Sequence, residues 1–277
     1  MPAKEQAIVK PPSSAKLVVK QPRFEHLHFS GSTRVLISGK SGSGKSSLIW
    51  SMITDFYRGC FKAGIVIVAR TAHLDPTFQA LKDHAEKHFG QDNKEKQFVF
   101  TDPSDPQLAV LFAEHETLVR KEKVQRKADK SSEPLTARCW IYDDVSDDSN
   151  LRAREGLLPK IFTTGRHSCQ SCVCSVHMLH SLSPILRKNS SMLCIFRIAN
   201  RLEMESLTDQ YSWLIGRDIF IDMYELAAGK RSPPFSFFTI MCLESDPKKT
   251  FYARFDQRLF VEDSEEEVDA PQPTLRR

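Results

Sequence analysis

Apolar residues cluster in short runs rich in β-branched side chains, at 34–38, 64–70, 97–101, 139–143, 172–178 and 192–198. Short, continuously apolar runs fit strands buried on both faces. Between them lie segments with helical spacing, at 45–58, 76–89, 106–128 and 150–162. Strand–helix alternation of this kind predicts a parallel sheet with helices on both faces. After Ala199 the pattern changes. A helical stretch over 202–228 leads into strands at 235–243 and 251–255, read as an antiparallel hairpin at the C-terminal sheet edge. No internal repeat is visible.

The flanks differ from this core. Residues 1–23 carry Pro2, Pro11, Pro12 and Pro22 among scattered lysines, without a periodic apolar face, and read as a disordered basic arm. The segment 261–277 holds an acidic run from Glu262 to Asp269 followed by Pro271 and Pro273, and reads as a solvated tail. The folded domain is therefore expected over 24–260.

Composition narrows the class. Of the 277 residues, 40% are hydrophobic and 27% charged, ordinary for a globular protein that needs no staple. A net charge of +4 permits a nucleic-acid partner without requiring one. The 7 cysteines are an odd number set mostly within apolar runs, so reduced thiols and an intracellular location are expected. The apolar runs at 63–69 and 235–243 are too short to span a bilayer, so no membrane partner is expected.

The strongest motif is Gly39-Lys40-Ser41-Gly42-Ser43-Gly44-Lys45-Ser46, which matches a phosphate-binding loop at every fixed position. Its glycines allow a tight turn whose N–H groups converge on an anion. It follows an apolar strand and precedes a helix beginning near Ser47, the context the motif needs. Lys45 is the candidate for the β- and γ-phosphates and the Ser46 hydroxyl for Mg²⁺, and Ser47 joins the nucleotide contacts. A second element, Cys139-Trp140-Ile141-Tyr142-Asp143-Asp144, is an apolar strand ending in two carboxylates. Its tip is expected beside the loop, with Asp143 in the Mg²⁺ shell and Asp144 orienting or deprotonating the attacking water.

Further along come Gly165-Arg166-His167, the strand at 172–178, His180, and Pro184-Ile185-Leu186-Arg187-Lys188-Asn189. Over roughly 34–200, the order of phosphate loop, Asp-Asp strand, Gly-Arg-His and Pro-x-x-Arg-x-Asn resembles the poxvirus-type genome-packaging ATPases. These belong to the FtsK/HerA superfamily of ring-shaped DNA pumps. The resemblance implies an α/β fold with a RecA-like P-loop NTPase core and ATP with Mg²⁺ as cofactors. It also implies a homo-oligomeric ring acting on double-stranded DNA, with a capsid or portal protein as docking partner. The location it implies is the host cytoplasm or nucleus, or the virion. The family's polar sensor, usually Gln, aligns with His180. Arg187 is the candidate arginine finger donated to a neighbouring subunit, and Arg166 the second candidate.

Other signals weigh less. His167, Cys169, Cys172, Cys174, His177 and His180 crowd together, but alternation puts Cys172 and Cys174 on one strand face and His177 on the other, a poor fit to zinc. The basic stretch 120–138 reads first as a solvated helix end and second as a DNA-channel lining. No nucleic-acid-recognition motif stands out, so DNA contact is expected to be independent of sequence. Two rival functions stay in view, a P-loop kinase for a small metabolite and a nucleotide-dependent switch. Neither a kinase-type arginine-rich lid nor a guanine-reading Asn/Thr-Lys-x-Asp element is found.

Overall fold

The computed structural model describes residues 4–7, 27, 29, 31–131, 133–144 and 156–261. Its strands are β1 (Lys4–Ala7), β2 (Arg34–Ser38), β3 (Ile65–Ala69), β4 (Val99–Phe100), β5 (Arg138–Asp143), β6 (Gln170–Val176), β7 (Met192–Phe196), β8 (Phe237–Met241), β9 (Phe251–Ala253) and β10 (Gln257–Phe260). The helices are α1 (Lys45–Ser51), α2 (Pro76–Phe89), α3 (Pro106–Asp129), α4 (Leu157–Thr164), α5 (Pro184–Asn189), α6 (Arg201–Tyr211), α7 (Arg217–Ala228) and α8 (Pro247–Thr250).

All the strands join one ten-stranded sheet, in the order β1-β10-β9-β8-β7-β2-β6-β5-β3-β4. The section from β7 to β4 is parallel, and β8, β9, β10 and β1 extend it with antiparallel pairings. The expected C-terminal hairpin is thus β8–β9, lengthened by two further strands. Within the expected disordered arm, Lys4–Ala7 pairs with β10. An uncovered edge offers unpaired N–H and C=O groups to any extended segment nearby. The acidic tail from residue 262 and the residues before Gly156 in the expected helix 150–162 lie outside the described residues.

Alternation along the parallel strands builds two cores. On β2, Val35 and Ile37 face a layer with Ile49 of α1, Met52 and Ile53 of the turn that follows it, and Phe78 and Leu81 of α2. Leu36, between them, faces Phe112 of α3, Leu158 and Ile161 of α4, and Phe220 of α7. Every residue of β2, β3, β6 and β7 is buried, as expected for a parallel sheet covered on both sides. Register is fixed partly by polar bonds. The Trp140 indole donates to Gln170 Oε1 (2.9 Å) across the β5–β6 pair.

Helix starts follow local chemistry. Asp75 and Asp105 cap α2 and α3 by accepting from Thr77 N and Gln107 N, each with Pro in the first turn. The single helix expected over 202–228 is broken in two. The first helix stops at Tyr211, a 3₁₀ turn follows at Ser212–Leu214, and Gly216 at φ 85°, a backbone that glycine adopts without strain, re-aims the chain into α7. The helix expected over 45–58 is α-helical to Ser51 and then widens into a π turn, Met52–Phe56. All seven cysteines are free thiols.

His115 of α3 is 1% exposed. Burial first, and then the nearby Arg138 charge, push its pKa down from 6.5 to about 4. The unfolded chain therefore binds the extra proton between those values, and stability is lost as pH falls through that window. The loss expected from this group is about 3 kcal/mol. Urea unfolding between pH 7 and 4 should show a shallower decline for His115→Leu than for the parent chain. Parallel declines would exclude this histidine as the source.

Candidate nucleotide-binding site

The loop grows out of β2 at the carboxyl end of the parallel strands. Its entry is tied to the neighbouring strand by Gly39 N–H donating to Val176 O (3.1 Å). Gly42 and Gly44 hold φ of 71° and 102°, left-handed values that glycine adopts without strain. Gly39 is required for space instead. A Cβ there would lie 2.6 Å from Ser43 Oγ and 2.7 Å from Phe196 Cβ. No side chain caps α1, which leaves the first N–H groups of the helix available to an anion. Lys45 Nζ donates to the loop's own carbonyls, Gly39 O at 2.7 Å and Lys40 O at 3.2 Å. Its ammonium is thereby held over the loop.

The acidic strand lies one position further from the loop than its neighbour, because β6 runs between β2 and β5. Asp143 nevertheless faces Lys45 across this gap. It is 6% exposed, and burial raises its pKa while the Ser175 hydroxyl and the Lys45 charge pull it down. Lys45 mirrors this, lowered by burial and raised by Asp143 and Asp144. Burial outweighs attraction on both sides, so each charge stabilises the other without fully compensating it. Ser175, paired in register with Asp143, donates a hydrogen bond to its carboxylate. Asp144 is exposed and sits at φ 50°, uncommon for a residue with a side chain. That turn aims its carboxylate at His177, whose Nε2 lies 2.9 Å from Asp144 Oδ1.

The imidazole that meets the acidic pair is therefore His177, not His180. His177 directly follows the last residue of β6, whereas His180 lies on the next 3₁₀ turn and is exposed. His180 and Arg187 line a different, narrow cleft with Glu203, Ser206 and Gln210. Arg187 is half-buried, its Nε shielded and without a hydrogen-bond partner among the described residues. Arg166 is exposed in the 3₁₀ turn before β6, at the end of the sheet opposite the loop. The seven residues of β6 separate it from the loop by about 20 Å. Neither arginine joins the site of its own chain.

Sequence reasoning missed Ser175, His177 and Glu203. The first two carried a signal, being the polar members of one face of an otherwise apolar run. Glu203 carried none. It is buried at the start of α6, and its Oε1 accepts from Ser38 Oγ and from Leu179 N, both at 3.1 Å. That ties α6 to the strand end from which the loop departs.

The donor set fits magnesium. Ser46 and Asp143 offer hard oxygen ligands, and the buried Asp143 carboxylate is only partly compensated by Ser175 and Lys45. Cys172 and Cys174 are buried in the core beneath α3 and α4 instead of facing this site.

The fold has counterparts among solved structures. The genome packaging NTPase B204 of Sulfolobus turreted icosahedral virus 2, in complex with AMPPCP, superposes with a TM-score of 0.52. It shares 14% identity and covers 84% of this chain and 100% of its own. This is a P-loop NTPase fold. EssC (ATPases 2 and 3) from Geobacillus thermodenitrificans shares it with a TM-score of 0.53 at 11% identity, over 95% of this chain and 48% of that one. In sequence, an uncharacterized protein, 088R of Invertebrate iridescent virus 3, is 29% identical over 189 residues. The match covers 67% of this chain and 61% of that protein. No protein-family profile matches the chain. No helix among the described residues is long and apolar enough to cross a membrane.

Gly39→Ala should lower stability in urea unfolding by about 1–3 kcal/mol through overpacking. Ser47→Ala, on the exposed side of the first helical turn, should stay within about 0.5 kcal/mol. Equal effects would remove the steric account of Gly39.

Proposed function

We propose that this chain is an ATP-hydrolysing motor that moves double-stranded DNA, packaging a viral genome into a capsid. The observation that carries the hydrolytic part is the meeting of Lys45 with the buried Asp143 and with Asp144 at the carboxyl ends of parallel strands. The loop from Gly39 to Ser46, with Ser47, takes the phosphates. Lys45 neutralises their charge, and Ser46 and Asp143 hold Mg²⁺, which supplies charge stabilisation on the phosphoryl oxygens when bound. Asp144 orients and deprotonates the attacking water, and His177 holds the Asp144 carboxylate in place. His177 takes the sensor role that the alignment of motifs gave to His180.

The DNA-pumping part is supported by the Gly-Arg-His and Pro-x-x-Arg-x-Asn elements and by the fold shared with a genome packaging NTPase. A ring of identical subunits follows from head-to-tail contacts that close. In such a ring Arg187, free of a carboxylate partner among the described residues, reaches the phosphates of the next subunit. Arg166 is the second candidate for that role. Exposed basic residues along the last turns of α3, among them Arg120, Lys121 and Lys127, are available for phosphate contacts that ignore sequence.

The decisive experiment is steady-state ATP hydrolysis by the purified chain at low salt, with and without linear double-stranded DNA, using Lys45→Ala as the blank. DNA should stimulate turnover. Arg187→Ala should lower kcat about a thousandfold while nucleotide still binds. Mixing Arg187→Ala with Lys45→Ala subunits should restore part of the activity, since each supplies what the other lacks. Hydrolysis indifferent to DNA in an assembled ring would reject the pump and point to a small-molecule phosphate acceptor.

The sensor assignment has its own test. His177→Ala should reduce kcat by about 100-fold and His180→Ala by no more than about twofold. The opposite ranking would return the role to His180.

A further inference from the structure

Beside the phosphate loop the surface opens into a cavity of about 480 Å³, within the range of small-ligand sites. Gly44 and Ser47 form its edge, so it begins where the loop's anion nest ends. One wall is aromatic. Phe196 and Phe237 lie 5.3 Å apart, and Phe237 and Phe255 meet edge to face at 5.1 Å and 72°. These rings satisfy one another and leave a dry, rigid face.

Two groups in the cavity are not satisfied among the described residues. Phe235 is 68% exposed and held at φ 61° in the segment leading into β8. A left-handed backbone and an exposed ring are both unfavourable for phenylalanine. This conformation brings the ring against the loop, 3.2 Å from where a Cβ on Gly44 would stand. Asp256 Oδ2 accepts from Arg254 Nη2 at 2.9 Å. Its Oδ1 is shielded from water and has no hydrogen-bond partner among the described residues. An exposed flat ring and an unmet acceptor, set around a cavity that continues the phosphate nest, match the two faces of a nucleoside. The base offers a π surface, and base and ribose offer N–H and O–H donors.

We propose that this cavity holds the base and ribose of the bound nucleotide, with Phe235 stacking on the base and Asp256 accepting a hydrogen bond from the nucleoside. The inference rests on the nucleotide reading of the loop. It places recognition of the nucleoside on the β7–β8 and β9–β10 side of the sheet, apart from the acidic pair.

The test is calorimetric binding of a non-hydrolysable ATP analogue and of inorganic tripolyphosphate to the full chain with Mg²⁺. The parent chain should bind the analogue more tightly than tripolyphosphate. Phe235→Ala should weaken the analogue by about 5- to 150-fold, the effect of losing one base–aromatic stack, and leave tripolyphosphate unchanged. Phe235→Trp should retain the analogue. Equal weakening of both ligands, or of neither, would overturn the stacking role. Inosine and 2′-deoxy analogues separate the donors facing Asp256. Loss with one of them, abolished in Asp256→Ala, which removes the acceptor, supports the contact, and loss with neither overturns it. If the parent chain binds neither analogue nor tripolyphosphate, the nucleotide reading itself fails and this inference with it.

Discussion

A carboxylate buried at the end of a sheet that is apolar on both faces has to find compensation close at hand, and the organisation around Asp143 follows from that need. β5 has hydrophobic layers above and below, so charge is tolerable only where the strand runs out. At that point two neighbours lower the cost. The Ser175 hydroxyl, one strand over and in register, donates to the carboxylate, and Lys45 faces it from the loop beyond. Neither compensates it fully, since burial still raises the Asp143 pKa and still lowers that of Lys45. A site with residual negative charge on one side and residual positive charge on the other is ready for a phosphate chain and a divalent cation together.

The insertion of β6 between the loop strand and the acidic strand gives this arrangement its reach. With β2 and β5 paired directly, the lysine and the acid would sit one strand spacing apart, about 4.8 Å, too close for phosphate between them. The intervening strand doubles that gap and delivers its own carboxyl end, Ser175 and then His177, into it. His177 meets Asp144 only because Asp144 departs from extended geometry into the left-handed region. A following Asp on an unbroken strand would point its side chain into the opposite layer. The strain at this position is what lets two adjacent carboxylates serve one face.

Most of this scaffold was legible in the sequence. The apolar runs marked every parallel strand, and the glycine spacing marked the loop, because burial and left-handed geometry each restrict residue type strongly. The breaks were less legible. The expected long helix is interrupted over only the five residues from Ser212 to Gly216, and β1 and β10 are too short and polar to register as strands. Which imidazole meets the acids was not legible for a definite reason. His177 and His180 are both imidazoles near one strand end, and only the point where β6 stops, at Val176, decides which lies against the acids. Glu203 was invisible because its role depends on a contact 165 residues away in sequence, with Ser38.

That contact links two parts of the molecule that the motifs alone leave separate. Glu203 holds α6 to the end of β2 and, through Leu179 N–H, to the turn carrying His180. The same helix and turn border the cleft in which Arg187 sits. A buried carboxylate with both acceptor bonds on one oxygen is a stiff joint, since breaking either bond leaves charge unsolvated. Displacement of α5 and α6 by a neighbouring subunit would therefore be felt at the strand end that positions the phosphate loop. In the ring proposed above, the surface that presents Arg187 outward and the loop that holds nucleotide inward are joined by Glu203 rather than by a long mobile segment. Loss of this carboxylate would loosen that joint without touching any residue assigned to the phosphates.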